Sequence, residues 1–310
     1  MAIESKFIWM DGELVPFEKA TVHFLNTTLH YGVGVFEGIR CYATPKGPAV
    51  FRLREHMQRM IDSVKVLGFN EFPYTVDELC QATREVVAAN ELHECYIRPL
   101  VTLNAPNLGL NLDSASLQVG IATWEWGNFL GEEARTKGIR ANISSFTRHH
   151  PNVSMTKAKI TGNYANSMLA KTESIRLGFD EAIMLDPQGY IAECTGENIF
   201  IVRGKQLHTT PRAAILEGIT RDSLIRIATD MKYQVIEQPI SRDQLYIADE
   251  VFVCGSAAEC VAICEVDFRT IGSGFSGPVT LALQEAYHAA IHGEVDDYKS
   301  WLDYVNEKIE

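Results

Sequence analysis

The sequence predicts an α+β protein with two domains, and three observations support this prediction. The chain has 310 residues, which is long for a single hydrophobic core, because domains usually hold about 100 to 200 residues. Segments typical of strands and of helices occur in blocks rather than in strict strand–helix alternation. No GxGxxG motif follows the first strand-like segment, and a dinucleotide-binding fold is therefore disfavoured.

The first domain is predicted to span residues 1–125 and to open with a strand pair. An Asp-Gly pair separates two apolar runs in KFIWMDGELVPF, and glycine accepts the positive φ that a two-residue hairpin turn requires. Apolar residues recur at helical spacing over residues 53–67, and the glycine that follows ends this helix. A second helix near residues 75–89 and two strands, CYIRPLVTL and LQVGIAT, complete the domain.

The second domain is predicted to span residues 136–310, after a linker at residues 126–135 that is rich in glycine, aromatic residues and charge. Its DPQG turn separates short apolar runs, as in an antiparallel meander. Further elements are expected as a strand near IRANISS, helices near residues 163–177, 219–230 and 277–291, and strands within DEVFVCGSAAECVAICEV.

The composition excludes several classes of protein. The net charge of −12 and the scattered lysines and arginines leave no basic face for nucleic acid. No run approaches the roughly 18 apolar residues of a membrane helix, and MAIESKFIWMDGE has acids where a signal peptide needs an apolar run. We therefore expect a cytoplasmic protein with no nucleic-acid or membrane partner.

The cysteines predict reduced thiols rather than disulfides or metal ligands. There are 7 of them, an odd number without a CxxC pair. Cys254, Cys260 and Cys264 match no structural zinc spacing, and no histidine follows nearby. We expect these three to be buried thiols in strands, and we expect no metal.

Three residues could carry polar chemistry in the second half of the chain. Lys157 or Lys159 in SMTKAKITGNY could supply a neutral amine, but in a strand both would point the same way, so the local pattern does not choose between them. Glu193 lies in an apolar run and is expected to be buried, which requires a cation or hydrogen-bond donors. The local sequence favours a salt bridge for Glu193 over a cofactor contact.

Two turns could bind an anion, although most such turns bind nothing. The helix GITRDSLIRIATD is expected to begin with Thr220 as N-cap, and its first N–H groups carry the positive end of the helix dipole. CGSAAE at residues 254–259 presents N–H groups and a hydroxyl after a strand. By contrast, Arg59 lies away from the apolar stripe of its helix, and periodicity predicts that it is exposed.

Seven motifs in order give the chain a specific resemblance over nearly its whole length. The chain is similar to the class IV aminotransferases and, more narrowly, to the branched-chain amino acid aminotransferases. The resemblance implies a D-amino acid aminotransferase-like fold, with a small N-terminal α/β domain and a larger domain containing a pseudo-barrel of strands. The motifs are LHYGVGVFEGIR, HMQRM, YIRPL, KITGNY, AECTGEN, GITRD and CGSAAE.

The resemblance also implies a cofactor, pyridoxal 5′-phosphate, and residues that hold it. Lys159 is implied as the lysine that forms the Schiff base and moves protons at the substrate Cα, and Lys157 is not. Glu193 is implied beside the pyridine nitrogen and Tyr164 beside the ring O3′. For Arg59 the resemblance overrides the helical periodicity and implies a helix that faces the site. The implied phosphate ligands are Arg59, Ile219, Thr220 and Ser256.

The implied reaction is reversible, ping-pong transfer of the amino group of leucine, isoleucine or valine to 2-oxoglutarate. The pocket must accept both an aliphatic side chain and the second carboxylate of glutamate, for which the forked donor Arg98 is suited. The family shares its site between subunits, which implies at least a homodimer. The implied substrate residues are Phe36, Gly38, Tyr96, Arg98 and Ala257, with Tyr31 from a neighbouring subunit.

Several alternatives remain open. The stretch VTLNAPNLGLNLDSAS varies in the family and helps to form the pocket wall, so aromatic amino acids or small amines are further candidate substrates. A D-amino acid or (R)-amine aminotransferase of the same fold is the nearest rival, but Arg98-Pro99-Leu100 stands where the D-specific enzymes carry Arg-x-His. A lyase acting on aminodeoxychorismate and a non-catalytic binding module are weaker rivals.

Overall fold

The computed structural model describes residues 3–126 and 132–306. It divides into two compact units. Unit 1 comprises Met1–Trp126, Ala158–Asn163 and Ala290–Glu310, and unit 2 comprises Gly127–Lys157 and Tyr164–Ala289. Of the predicted linker, residues 127–131 lie outside the described residues, and the predicted domain limits stay a prediction.

The elements follow the chain in the predicted blocks. The strands are β1 Phe7–Met10, β2 Glu13–Pro16, β3 Val35–Phe36, β4 Ile39–Thr44, β5 Gly47–Phe51, β6 Cys95–Asn104, β7 Ser116–Trp124, β8 Ile139–Ile143, β9 Glu181–Leu185, β10 Ile191–Cys194, β11 Asn198–Arg203, β12 Gln206–Thr209, β13 Gln234–Glu237, β14 Glu250–Gly255, β15 Glu259–Val266, β16 Arg269–Thr270 and β17 Leu302–Tyr304. The α-helices are α1 Thr27–Tyr31, α2 Leu53–Val66, α3 Val76–Ala89, α4 Glu132–Lys137, α5 Asn163–Arg176, α6 Ile219–Asp230, α7 Arg242–Tyr246 and α8 Pro278–Ile291. Short 3₁₀ helices span Phe17–Lys19, Arg212–Ala214 and Asp296–Trp301.

Unit 1 is built on a sheet with the order β17-β5-β4-β6-β7-β1-β2, and β3 pairs with β6. The predicted hairpin is confirmed, because β1 and β2 pair across Asp11-Gly12, where Gly12 has φ of 102°. Side chains alternate along β6, so that Ile97 and Val101 enter the hydrophobic core while Tyr96 and Arg98 project from the opposite face.

Helix α2 packs its predicted apolar stripe into the same core. Leu53, Met57, Met60 and Val64 are at most 1% exposed, which confirms the helical periodicity. Gly68 follows the helix with φ of 100°, a conformation that glycine adopts without steric cost. Helix α3, whose first turn is closed by a capping box, is also confirmed.

Unit 2 is built on a mixed sheet with the order β10-β9-β8-β15-β14-β11-β12-β13, and β16 pairs with β15. The predicted turn at residues 186–189 joins the antiparallel strands β9 and β10. The strands expected within residues 249–266 are confirmed as β14 and β15, which pair in antiparallel fashion. The core of the unit is made of branched side chains from these strands, such as Ile183, Ile199, Val253 and Ile263.

The predicted burial of the three late cysteines is confirmed for Cys254 and Cys260 and was wrong for Cys264. All cysteines of the chain are free; Cys254 and Cys260 are buried on β14 and β15, and Cys264 is half-buried. Burial raises the pKa of the Cys254 and Cys260 thiols, which makes them unreactive at neutral pH. Within residues 3–126 and 132–306, no helix has the length and apolar character needed to cross a membrane.

Candidate active site

The two lysines of SMTKAKITGNY lie in different surroundings, and the chain is not a strand at either of them. Lys157 belongs to unit 2, where its side chain is 43% exposed and its Nζ lies 3.1 Å from a carboxylate oxygen of Glu217. Lys159 belongs to unit 1, where its Nζ lies 4.9 Å from the centre of the Phe36 ring. Lys159 therefore lies beside a predicted substrate residue.

Four predicted substrate residues form one cluster in unit 1. The guanidinium carbon of Arg98 lies 4.8 Å from the centre of the Phe36 ring and 5.2 Å from the centre of the Tyr96 ring. A Cβ at Gly38 would lie 2.1 Å from the Tyr96 hydroxyl oxygen, so that any larger residue at this position would displace the Tyr96 side chain. Among the described residues no carboxylate pairs with Arg98, and its Nε is buried without a hydrogen-bond partner. The cluster thus offers aromatic surface together with a cation that no acid of the described chain neutralises.

Arg59 is held by a buried carboxylate, and the prediction from periodicity that it is exposed was wrong. Its side chain is only 15% exposed. Its Nε and Nη2 each donate to a different oxygen of Glu37 at 2.7 Å, and the Nδ1 of His56 lies 2.7 Å from one of these oxygens. Glu37 follows β3 and is 0% exposed. The arginine turns inward because the sheet presents a buried acid to this face of α2.

The electrostatics of this cluster follow from its burial. Burial by itself would raise the pKa of Glu37, but Arg59 and His56 outweigh that effect and hold the pKa well below its usual range. Burial lowers the pKa of His56 despite the neighbouring carboxylate. Glu37 is therefore ionised and His56 is neutral at neutral pH.

A second contact from α2 fixes the backbone of Lys159. The Ser63 hydroxyl donates to the Arg59 carbonyl oxygen at 2.7 Å and accepts from the Lys159 backbone N–H at 3.1 Å. On the other side, the Phe36 N–H donates to the Lys159 carbonyl oxygen at 3.1 Å. The Lys159 peptide groups are thus tied to the helix that carries Arg59 and to the strand that carries Phe36.

In unit 2, Glu193 lies on β10, is 6% exposed, and is paired as the sequence predicted. One carboxylate oxygen lies 2.7 Å from Nη2 of Arg148. The other accepts from the Asn198 side-chain amide at 3.1 Å and from the Leu216 N–H at 3.2 Å. These contacts compensate the buried charge and fix the direction of the carboxylate.

The start of α6 differs from the sequence prediction. The helix begins at Ile219, so Thr220 is its second residue, and the prediction of Thr220 as N-cap was wrong. The N-cap is Gly218, which makes no side-chain cap bond. A Cβ at Gly218 would lie 2.1 Å from the Asn198 side-chain oxygen, because the amide that holds Glu193 fills this space. The N-terminal N–H groups of α6 therefore lie beside the Glu193 network without a side-chain cap.

The other predicted residues of unit 2 lie in the β14–β15 turn and on α5. Ser256 and Ala257 are half-buried in the turn. The strand that leads into it pairs with β11, where Cys254 stands opposite Asn198. Tyr164 is half-buried in the first turn of α5. The strand pairing thus places the Ser256 turn next to the segment that orients Glu193.

The Tyr31 hydroxyl makes its hydrogen bond to a residue outside the Phe36 cluster. Tyr31 ends α1, is 48% exposed, and its hydroxyl donates to the carbonyl oxygen of Leu108 at 2.9 Å. Its predicted role in the site of a neighbouring subunit stays a prediction.

Five side chains of these networks were not predicted from the sequence. Glu37 stands inside the quoted motif VFEGIR, where an acid between buried residues was a usable signal. His56 and Arg59 are three apart on one helix and so share a face. Arg148 comes from an irregular segment and gave no local signal. The five are Glu37, His56, Ser63, Arg148 and Asn198.

Known proteins are similar to this chain over almost its full length. Residues 34–266 match the family described as amino-transferase class IV. A protein of Pseudomonas aeruginosa named branched-chain-amino-acid aminotransferase is 48% identical over 305 residues, which are 98% of this chain and 99% of that protein. A protein of Escherichia coli (strain K12) with the same name is 45% identical over 306 residues, again 98% and 99% of the two chains.

Solved structures agree with these relatives. The branched-chain amino acid aminotransferase of T.th. with pyridoxamine 5′-phosphate has a TM-score of 0.95 and 49% identity, and the match covers 98% of this chain and 100% of that one. The same enzyme complexed with N-(5′-phosphopyridoxyl)-L-glutamate has a TM-score of 0.94 and 48% identity, with the same coverage. The chain therefore belongs to class IV of the aminotransferases, and within that class to the family of the branched-chain-amino-acid aminotransferases.

Proposed function

We propose that the protein transfers the amino group of L-leucine, L-isoleucine or L-valine to 2-oxoglutarate, with pyridoxal phosphate as cofactor. The observation that carries the proposal is the cluster in unit 1, where the Lys159 amine and the Arg98 guanidinium lie on the same Phe36 ring. Such substrates require three kinds of group: an amine, an aromatic surface for the aliphatic side chain, and a cation for the carboxylate. The cluster supplies all three, and its cation has no acid partner among the described residues.

The chain's polar groups fit pyridoxal phosphate. Helix α6 begins at Ile219, and its N-cap Gly218 makes no side-chain cap bond, which suits binding of a phosphate dianion. The Glu193 carboxylate is buried and is held by a cation and two hydrogen-bond donors, which suits a contact with a protonated pyridine nitrogen. When bound, the cofactor supplies an aldehyde carbon for the amino group and a conjugated ring that withdraws electrons from the substrate.

In unit 1, Lys159 is the proposed catalytic residue. Its Nζ would hold the cofactor covalently, and the same amine would move a proton to and from the substrate Cα. The bonds of its backbone to Ser63 and Phe36 support this role, because they restrict the positions that Nζ reaches. Arg59 contributes a guanidinium to the phosphate.

In unit 2, Glu193 is proposed to hold a proton on the pyridine nitrogen, and Tyr164 to donate to the ring O3′. The N–H groups of Ile219 and Thr220 and the hydroxyls of Thr220 and Ser256 are proposed to bind the phosphate. The link between Glu193 and the start of α6 through Asn198 supports a common ligand for them.

The substrate is proposed to lie against the Phe36 cluster. Phe36 and Tyr96 cover the aliphatic side chain, and Gly38 leaves room for the Tyr96 ring. Arg98 binds the second carboxylate of glutamate or 2-oxoglutarate. Ala257 is proposed to complete the pocket.

A homodimer is proposed as the smallest assembly. Residues 22–31 expose large apolar side chains, among them Phe24 at 80% and Leu29 at 61%. Contiguous apolar surface of this kind is typical of protein–protein interfaces. It lies in the segment that carries Tyr31, which supports a role for Tyr31 in a neighbouring site.

Steady-state assays of glutamate formation from 2-oxoglutarate test the proposal. We expect turnover with L-leucine, L-isoleucine and L-valine and none with D-alanine or (R)-amines. Turnover with D-alanine alone would overturn the proposed stereochemistry. The comparisons do not favour that alternative, since the relatives described above are named for branched-chain amino acids. The molar mass in solution by light scattering tests the dimer.

A further inference from the structure

Glu37 is a buried acid for which the proposed reaction has no chemical step. It lies between β3 and β4, and its backbone N–H donates to the carbonyl oxygen of Pro99 at 2.9 Å. Both ends of the residue are therefore fixed, the backbone by β6 and the carboxylate by α2. Its position is therefore set by the sheet of unit 1 and by helix α2.

The carboxylate of Glu37 meets three donors from two residues of α2. Nε and Nη2 of Arg59 each donate at 2.7 Å, and Nδ1 of His56 lies at 2.7 Å. An ionised carboxylate with a neutral imidazole and one guanidinium leaves this buried group of three without net charge. Such compensation removes most of the penalty for burying the arginine.

The geometry of the pair gives the guanidinium a single orientation. The paired contact uses the edge formed by Nε and Nη2. The third nitrogen, Nη1, therefore lies on the side of the guanidinium that faces away from Glu37. A lone arginine side chain would lose considerable rotamer entropy when it binds an anion, and a side chain that is already fixed loses less. His56 in turn limits the rotation of the carboxylate.

The same turn of α2 also positions the catalytic lysine. The Arg59 carbonyl oxygen accepts from Ser63, whose hydroxyl accepts from the Lys159 N–H. A shift of Arg59 would therefore move its own guanidinium and, through Ser63, the backbone of Lys159. These two residues are proposed to hold opposite ends of the cofactor.

We propose that Glu37 is a positioning residue, which together with His56 holds Arg59 so that the outer edge of its guanidinium binds the cofactor phosphate. This inference rests on the proposed function, because it assigns Glu37 a task at the same site. Glu37 touches neither substrate nor cofactor; it acts through Arg59.

The test compares two ligands that differ only in the phosphate. Full-length wild type and Glu37→Gln are freed of cofactor, and the dissociation constants of pyridoxal phosphate and pyridoxal are measured by equilibrium dialysis. Glutamine has the shape of glutamate but cannot accept from both guanidinium nitrogens. We expect the dissociation constant of pyridoxal phosphate to rise by about tenfold to a hundredfold, and that of pyridoxal to change by less than about threefold.

Glu94→Gln is the matched control, since Glu94 pairs with the buried Arg40 at 2.9 Å in the same unit. It should bind both ligands as the wild type does. In a double-mutant cycle, adding Glu37→Gln to Arg59→Ala should cause no further loss of affinity for pyridoxal phosphate. If Glu37→Gln does not fold, His56→Gln is measured instead, with a smaller but still phosphate-specific loss expected.

Three results would overturn the inference: wild-type affinity for pyridoxal phosphate in Glu37→Gln, an equal loss for both ligands, or additive losses in the cycle. Failure of the wild type itself to bind pyridoxal phosphate would instead refute the proposed function. The two failures are thus distinguished by the wild-type titration alone.

Discussion

The guanidinium of Arg148 lies 2.7 Å from the carboxylate of Glu193, and each side chain is only 8% exposed. Asn198 and the Leu216 N–H satisfy the other carboxylate oxygen. A charge this deeply buried is stable only while its partner is present. The pair therefore links the stability of unit 2 to the proposed cofactor contact of Glu193.

We expect Arg148→Met to lower the free energy of unfolding by about 3 to 5 kcal/mol, because it leaves a buried carboxylate without its cation. Adding Glu193→Gln should recover a large part of this loss, since the unpaired charge is then gone. Urea denaturation at one fixed protein concentration measures Arg148→Met, Glu193→Gln and the double variant. A double variant whose loss equals the sum of the two single losses would contradict the coupling.

Arg98→Met should separate the two half-reactions. We expect the reaction with 2-oxoglutarate to lose about 100-fold in kcat/KM, because the carboxylate loses its charged partner. The half-reaction with L-leucine should lose less than about tenfold. Single-turnover measurements with each substrate give the two values. Equal losses in both half-reactions would contradict the proposed role of Arg98.

Gly38→Ala should reduce kcat/KM for L-leucine by about tenfold or more, because the added methyl group displaces the Tyr96 ring from the pocket. The displacement follows from the distance of 2.1 Å between a Cβ at Gly38 and the Tyr96 hydroxyl oxygen. Gly120→Ala is the matched control on the same sheet, where the nearest atom to a Cβ is 3.8 Å away. Unchanged kinetics in Gly38→Ala would refute this steric role.

Glu197→Gln should change the pH dependence of stability. Burial and the neighbouring Glu181 raise the pKa of Glu197 from 4.5 to about 8. The folded protein thus keeps a proton that the unfolded chain releases above pH 4.5, and the wild type loses stability as pH rises through this window. We expect the variant's melting temperature to match the wild type near about pH 4 and to exceed it by about 2 °C or more at about pH 9. A difference that does not grow with pH would contradict the shift.

The elements of this fold were largely predictable, because their signals are local. The apolar period of α2, the Asp-Gly turn between β1 and β2 and the branched strands of both sheets are carried by adjacent residues. The burial and pairing of Glu193 were also predictable, since an acid in an apolar strand requires a partner.

The site was less predictable, because its partners come from distant parts of the chain. Arg59 looked exposed on its helix, and Glu37, 22 residues earlier, turns it inward. Thr220 was misplaced as N-cap because the helix begins earlier, at Ile219, and Gly218 takes the N-cap position. The choice of Lys159 over Lys157 required motif resemblance, since both lie in one short irregular segment.

The visible spectrum of the purified protein, before and after addition of L-leucine or D-alanine, tests the role of Lys159 most directly. Lys157→Ala serves as the matched control for Lys159→Ala. We expect a yellow wild type and a yellow Lys157→Ala that are bleached by L-leucine and not by D-alanine, and a Lys159→Ala protein that does not form the same yellow species. A yellow Lys159→Ala that L-leucine still bleaches, or a wild type that stays colourless with added pyridoxal phosphate, would contradict the assignment.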